Sequence, residues 1–181
     1  MSAAGDGAWP HVTLVLGGAR SGKSRHAEAL VREAGAAPWT YVATAEAWDE
    51  EMRTRIAHHR AERAVTGEGG WITIDSPLDL AGALRSAAAE SPVLVDCLTL
   101  WLTNLMLGER DVSAALEAFF DALSMRKAPV VLVANEVGLG IVPENALARA
   151  FRDAAGRLNQ RIAARAGRVL FIVAGLPVVV K

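Results

Sequence analysis

The sequence predicts an α/β protein with a mainly parallel β-sheet covered by helices. Short apolar runs typical of strands alternate with longer segments whose apolar residues recur every three or four positions. Because neighbouring parallel strands are joined by crossover connections that are usually helical, this alternation favours parallel pairing. The run at 129–134 (Pro-Val-Val-Leu-Val-Ala) is apolar throughout, as in a strand buried on both faces.

The predicted elements follow in a simple order. Strands are predicted at residues 12–16, 40–44, 71–74, 93–96, 129–134 and 169–173. Helical periodicity is present around residues 27–34, 49–62, 80–87, 112–123 and 147–162, and a short apolar segment spans 100–107. The last strand is followed by a proline-containing tail at 174–178.

The first strand leads directly into a glycine-rich loop that matches Gly-x-x-x-x-Gly-Lys-Ser. The members of the loop are Gly17, Gly18, Ala19, Arg20, Ser21, Gly22, Lys23 and Ser24. Glycines let backbone amides crowd round phosphate oxygens, and the following helix adds its positive end. Lys23 can reach the outer phosphates, and the Ser24 hydroxyl can bind Mg²⁺. The strand, loop and helix together predict a P-loop NTPase domain over residues 11–181, preceded by a flexible tail at residues 1–10.

Composition excludes several classes of protein. The chain has 181 residues and a net charge of −1, without the basic surface of a nucleic-acid-binding protein. No uncharged apolar run reaches the length of a membrane span. The single cysteine, Cys97, excludes an internal disulfide and favours a cytoplasmic location.

A second acidic group follows the strand at 93–96. Asp96 ends this apolar strand, the place where P-loop proteins hold a carboxylate that binds Mg²⁺ directly or through water. An aspartate at such a position can also serve as a helix N-cap. The strand that precedes Asp96 favours the metal-binding role.

Two adjacent histidines lie on the predicted helix at 49–62. At 100° per residue, His59 falls on the apolar stripe, whereas His58 falls on a polar edge near Glu51 and Glu62. Imidazole is mostly neutral at pH 7 and can attack phosphorus without a further base. The sequence pattern leaves two alternatives for His58, a nucleophile and a solvated surface histidine.

Several runs together resemble one family, the bifunctional adenosylcobinamide kinase/adenosylcobinamide-phosphate guanylyltransferases of cobalamin synthesis. The similarity covers nearly the whole chain from Val12. It is carried by Gly17–Glu28 (GGARSGKSRHAE), Tyr41–Thr44 (YVAT), Asp49–Arg60 with its His-His pair, Cys97-x-Thr99 with Thr103-Asn104-Leu105, Asn135–Glu144 (NEVGLGIVPE), and Arg149–Gln160. The His-His run together with Asn-Glu-Val-Gly is the most specific part.

The resemblance implies a RecA-like fold and two reactions. A hydroxyl on the aminopropanol arm of adenosylcobinamide takes the γ-phosphoryl group of ATP or GTP. GTP then guanylylates a histidine, and the GMP passes to adenosylcobinamide phosphate. A homotrimer is also expected from the family.

The same resemblance implies roles for individual residues. The nucleophile corresponds to His58, and Lys23 acts with it in catalysis. Contacts to the nucleotide fall on the phosphate loop and on Val42, Ala43, Thr44, His59, Arg60, Ala61, Glu62, Asp75 and Asp96. Asp96 stands where the family more often has glutamate.

The loop at 135–144 follows a buried strand, at the end where α/β sheets bind ligands. Gly138 and Gly140 permit movement, and Glu136 offers a carboxylate at its mouth. We expect Glu136 and this loop to contact the corrinoid or close over it. The alternative is a rigid loop in which Glu136 is structural.

Other functions predict different features. A P-loop kinase for another small metabolite would keep Lys23 and Asp96 but need no nucleophilic His58. A nucleotide-switched binding module or motor would make no small-molecule product. A regulatory GTPase is disfavoured, because no guanine-reading Asn-Lys-x-Asp occurs in the chain.

Overall fold

The computed structural model describes residues 7–46 and 70–181. Within these ranges the strands are β1 (Trp9–Gly17), β2 (Trp39–Ala43), β3 (Trp71–Asp75), β4 (Val93–Asp96), β5 (Val130–Asn135), β6 (Ala166–Val173) and β7 (Leu176–Val179). The helices in the same ranges are α1 (Lys23–Ala34), α2 (Leu80–Ser86), α3 (Leu98–Leu107), α4 (Val112–Met125) and α5 (Ala146–Arg165). The predicted helix at 49–62 lies outside the described residues.

The strands form one sheet in the order β3-β2-β4-β5-β1-β6-β7. Strands β1 to β6 pair in parallel, and β7 is antiparallel to β6. β1 therefore lies inside the sheet, between β5 and β6. The ends of the parallel strands meet along one side, here called the carboxyl edge, which is where such sheets bind ligands. This topology confirms the predicted α/β fold with a mainly parallel sheet.

Two apolar clusters lie on the two faces of the sheet. One contains Ala27 and Val31 of α1 together with strand residues such as Val15 and Leu94. The other contains residues of α2 to α5, among them Trp101, whose ring packs 5.2 Å from that of Phe119. The apolar run predicted as a doubly buried strand is β5, and all its residues except the last are buried. Burial of both faces fixes the strands and so fixes where their ends emerge.

The N-terminal boundary of the fold differs from the prediction. β1 begins at Trp9, so Trp9 and Pro10 belong to the sheet rather than to a flexible tail. The Trp9 ring is buried, its indole nitrogen donates to Ser124 Oγ at 2.9 Å, and Arg165 stacks over it. The packing partners of Trp9 lie more than a hundred residues away in sequence. They could not be inferred from the residues around Trp9.

The C-terminal end also differs. The predicted last strand is followed by β7, joined to β6 by a two-residue turn at Ala174 and Gly175. Both turn residues have positive φ, +51° and +80°, which suits the twist of a tight hairpin. Pro177 is tolerated because β7 is an edge strand.

Across the described residues, no helix is both long and apolar enough to cross a membrane.

Candidate active site

The phosphate loop lies at the carboxyl edge and is shaped by its glycines. Gly22 has φ +92°, a backbone conformation that side chains other than glycine rarely adopt. A Cβ on Gly17 would lie 2.5 Å from Ser21 Oγ and 2.9 Å from the carbonyl oxygen of Ile172. Gly18 is different, because a Cβ there would meet nothing within 4 Å. Two of the loop glycines are therefore required by the fold of the loop itself.

Helix α1 starts at Lys23, at the end of this loop. Its N-cap is Gly22, which has no side-chain oxygen to offer the amides of the first turn, so these donors suit a phosphate. Lys23 Nζ donates to the carbonyl oxygen of Gly18 at 3.0 Å, which folds the ammonium group back over the loop. Ser24 follows in the first helical turn. The predicted arrangement of strand, loop and helix is confirmed.

Two neighbouring segments hold the loop through backbone hydrogen bonds. The amide of Glu136, just after β5, donates to the carbonyl oxygen of Gly17 at 3.1 Å. The amide of Gly175, in the β6–β7 turn, donates to the carbonyl oxygen of Ser21 at 2.9 Å. The loop is thus fixed from both flanking strands before any ligand binds.

Asp96 is the last residue of its strand, β4, as predicted. In the sheet, β4 lies next to β5. Its Oδ2 accepts a hydrogen bond from the Tyr41 hydroxyl at 3.2 Å, which orients the carboxylate. Burial raises the pKa of the adjacent Cys97 thiol to about 11, and the negative charge of Asp96 adds to this effect while Lys23 opposes it. The Cys97 thiol is therefore uncharged at pH 7.

A buried polar network joins the ends of β2, β3 and β4. Thr44 Oγ1 donates to the carbonyl oxygen of Cys97 at 2.7 Å and accepts from the Cys97 amide at 2.7 Å. Asn104 Nδ2, on α3, donates to the carbonyl oxygens of Thr44 at 2.9 Å and of Pro77 at 3.0 Å. Thr99 of the same helix accepts from the Asn135 amide at 2.7 Å and so connects α3 to β5. Helix α3 therefore holds the chain segments at the ends of β2, β3 and β5 in position through hydrogen bonds of its side chains.

Other predicted nucleotide contacts lie farther from the phosphate loop. β2 is three strand spacings from β1, about 14 Å, and β3 is four, about 19 Å. The side chains of Val42 and Thr44 are fully buried, whereas Asp75 is exposed at the end of β3. Val42, Ala43, Thr44 and Asp75 therefore lie away from the phosphate loop, and their contact with the nucleotide stays a prediction.

The predicted nucleophile and its neighbours lie outside the described residues. These are His58, His59, Arg60, Ala61 and Glu62. Their roles stay predictions.

Three residues at the edge had no role in the sequence prediction. Tyr41 and Asn104 belong to runs that resemble the family, but partners 55 and 60 residues away cannot be read from sequence. Gly175 carried a usable signal, because Ala-Gly between two apolar runs is compatible with a tight hairpin turn.

Almost the whole chain matches one protein family. The model of the cobinamide kinase / cobinamide phosphate guanyltransferase family matches residues 13–180. The chain belongs to this family. The match takes in the phosphate loop, Asp96, the loop at 135–144 and the segment that contains His58.

Two relatives are similar over almost their full length. The bifunctional adenosylcobalamin biosynthesis protein CobP of Pseudomonas aeruginosa is 51% identical over 171 residues, which cover 93% of this chain and 96% of the relative. CobU of Salmonella typhimurium, described in the same words, is 45% identical over 185 residues, with coverage of 93% and 98%. These relatives support a two-reaction enzyme over a single-reaction kinase.

A solved structure agrees on the fold. The crystal structure of the flagellar accessory protein FlaH from Methanocaldococcus jannaschii has a TM-score of 0.52 at 14% identity, and the match covers 96% of this chain and 79% of that one. At this identity the similarity concerns the fold alone, a mainly parallel sheet packed between helices. The chain is therefore an enzyme of cobalamin biosynthesis with a kinase and a guanylyltransferase activity, built on this fold.

Proposed function

We propose that both activities bind their nucleotide at the phosphate loop, and that only guanylyl transfer proceeds through a covalent intermediate, on His58. In the first reaction the loop holds a nucleoside triphosphate, ATP or GTP, and adenosylcobinamide is phosphorylated. In the second it holds GTP, and GMP travels to adenosylcobinamide phosphate by way of His58. Family membership together with a fully formed phosphate loop at the carboxyl edge carries this proposal.

The kinase step depends on positioning and charge. The aminopropanol hydroxyl oxygen bonds to the γ-phosphorus and releases its proton to solvent, the bond from that phosphorus to the bridging oxygen breaks, and the nucleoside diphosphate leaves. The loop amides and the Lys23 ammonium group, which already folds over the loop at Gly18, stabilise the charge that spreads over the phosphate oxygens. No covalent intermediate is needed.

The guanylyl step uses a nucleophile. An imidazole nitrogen of His58 bonds to the α-phosphorus of GTP, the bond to the bridging oxygen breaks, and pyrophosphate leaves. A phosphate oxygen of adenosylcobinamide phosphate then bonds to the same phosphorus and frees His58. The proposed contacts at His59, Arg60, Ala61 and Glu62, and at Val42, Ala43, Thr44 and Asp75, would hold the guanine nucleoside during this exchange.

Mg²⁺ fits the donors at this edge. The Ser24 hydroxyl in the first turn of α1 and the Asp96 carboxylate oriented by Tyr41 are both oxygen ligands, the type that Mg²⁺ prefers. When bound there, the ion would neutralise charge on the phosphate oxygens. Ser24 and Asp96 are the residues that we propose to hold it.

Glu136 is the proposed substrate residue of the loop at 135–144, and its backbone is one strand spacing from the phosphate loop. We further propose a cytoplasmic homotrimer as the working form. The single cysteine suits a reducing compartment, and the trimer follows from the family resemblance.

The test separates the two reactions. Purified protein is incubated with [α-³²P]GTP without corrinoid, and the label on the protein is followed in acid and in base. A phosphorus–nitrogen bond to imidazole is labile in acid and stable in base. The expected result is a label with this signature that chases into adenosylcobinamide phosphate. An enzyme that completes guanylyl transfer without ever carrying label would overturn the covalent step.

A further inference from the structure

The loop between β5 and α5 carries exposed apolar side chains at its tip. Leu139 is 81% exposed, Ile141 98% and Val142 60%. No charged residue interrupts the run from 137 to 143. Exposed apolar clusters of this kind mark surfaces that bind a partner or ligand.

The loop is held at its base, so the exposure of the tip is built into the fold. Glu136 Oε1 accepts a hydrogen bond from the Gly138 amide at 2.6 Å, and Arg152 of α5 donates to the carbonyl oxygen of Gly138. Arg149 donates to the carbonyl oxygens of Pro143, at 3.0 Å, and Glu144. Two arginines of one helix thus fasten the two ends of the tip.

The base of this loop lies beside the phosphate loop. Gly17 and Asn135 are register partners on adjacent strands, and the Glu136 amide is bonded to Gly17. A hydroxyl that receives a phosphoryl group at the loop must come within bonding distance of the outer phosphate. The body of that substrate must then lie on the neighbouring surface at the carboxyl edge.

We propose that Leu139, Ile141 and Val142 form the surface that contacts the corrin ring of adenosylcobinamide. The inference rests on the proposed function in one respect, that the kinase step takes place at the phosphate loop. The corrin ring is a broad, largely apolar plane edged with amides and joined to the reacting hydroxyl by a short arm. The uncharged tip matches its face, and the fastened base keeps the tip in place before substrate arrives. Arg149 and Arg152 are positioning residues that act through the loop.

The test compares equivalent valines at two surfaces. Val142→Ser, alone and with Ile141→Ser, is measured beside Val179→Ser on β7. Val179 is 64% exposed and pairs with Leu170, away from the carboxyl edge. The readouts are the Kd for adenosylcobinamide by equilibrium dialysis, the KM for it in the kinase assay, the Kd for GTP, and mass by light scattering.

The tip variants should raise the Kd and KM for adenosylcobinamide roughly tenfold or more, because apolar contact area is lost, with the Kd for GTP unchanged. Val179→Ser should match the wild type. Unchanged corrinoid affinity in the double variant overturns the proposal, and so does a change in oligomeric mass without a change in corrinoid affinity. Labelling by [α-³²P]GTP needs no corrinoid, so its failure would concern His58 and not the tip.

Discussion

At the carboxyl edge, the phosphate loop is held to its neighbouring segments by backbone amides, whereas buried side chains add to the contacts that join the ends of β2, β3 and β4. The phosphate loop is held by the amides of Glu136 and Gly175. On the other side, Thr44 and Asn104 bind carbonyl groups in the interior. The two regions therefore should respond to different kinds of substitution.

The difference has a physical reason. A phosphate is bound by converging amides, so the loop must bring its own backbone close to the ligand and can spare little room for side chains. The ends of β2 and β4 must instead align segments that are distant in sequence, and buried hydrogen bonds between fixed partners do this. We therefore expect substitutions that add atoms to distort the phosphate loop. Substitutions that remove side-chain atoms should instead weaken the buried network at the ends of β2, β3 and β4.

Lys23 contributes a side chain to the phosphate loop, and its loss should have the largest effect on catalysis. Lys23→Ala removes the charge that folds over the loop, and both reactions should slow by ~10²-fold or more. Steady-state kinetics of the kinase and guanylyl steps measure this. Lys127→Ala, which precedes β5 at the opposite edge, is the control and should leave both rates unchanged. Near-normal kinase turnover in Lys23→Ala would contradict the proposal that one phosphate loop serves both reactions.

The glycines test the effect of added atoms. Gly17→Ala places a methyl group against Ser21 Oγ and the Ile172 carbonyl oxygen, so it should cost about 1–3 kcal/mol of stability and distort the loop. Nucleotide affinity should fall roughly tenfold for each ~1.4 kcal/mol of distortion carried into the bound state. Gly18→Ala, with open space around it, is the control for stability. Equal melting temperatures for the two variants would contradict the comparison.

Asn104 tests the effect of removed atoms. Asn104→Ala withdraws the amide that binds the Thr44 and Pro77 carbonyl oxygens, and should lower the free energy of unfolding by about 2–4 kcal/mol. Urea denaturation measures the loss. Thr103→Ala is the matched control, because Thr103 Oγ1 donates only locally to the Thr99 carbonyl oxygen, and should cost less than about 1 kcal/mol. If both variants are equally stable, the buried network does not align the edge.

His11 provides the smallest effect and lies away from the edge. Its Nε2 lies 3.1 Å from the Leu123 carbonyl oxygen, and burial, aided by the charge of Arg126, lowers its pKa below the ordinary 6.5. The unfolded chain then binds more protons than the folded one, so stability should be full above pH 6.5 and decline as pH falls. His11→Gln should flatten this decline in melts between pH 7.5 and 5. If the stability of His11→Gln falls with pH as steeply as that of the wild type, groups other than His11 cause the decline.

Much of the fold was accessible from sequence, because local pattern and tertiary structure agree there. β5 reads as an unbroken apolar run, and Gly17–Ser24 carries its phosphate-binding chemistry in consecutive residues. The start of β1 was not predicted, because Trp9 is buried by α4 and α5, which come much later in the chain.

The same distinction applies within the site. The phosphate loop is local and was predicted residue by residue, whereas the partnership of Tyr41 with Asp96 and that of Asn104 with Thr44 depend on strand order. Strand order follows from how the whole chain packs. The hairpin at Gly175 was not predicted, because residues 174–178 were expected to form a tail after the last strand.

We propose that His58 carries GMP between GTP and the corrinoid. The most direct measurement incubates wild type, His58→Ala and His59→Ala with [α-³²P]GTP and compares acid-labile, base-stable label on the protein. His58→Ala should carry no label and transfer no GMP, yet retain much of its kinase activity. His59→Ala should still be labelled. Label on His58→Ala, or its loss in His59→Ala alone, would contradict the assignment.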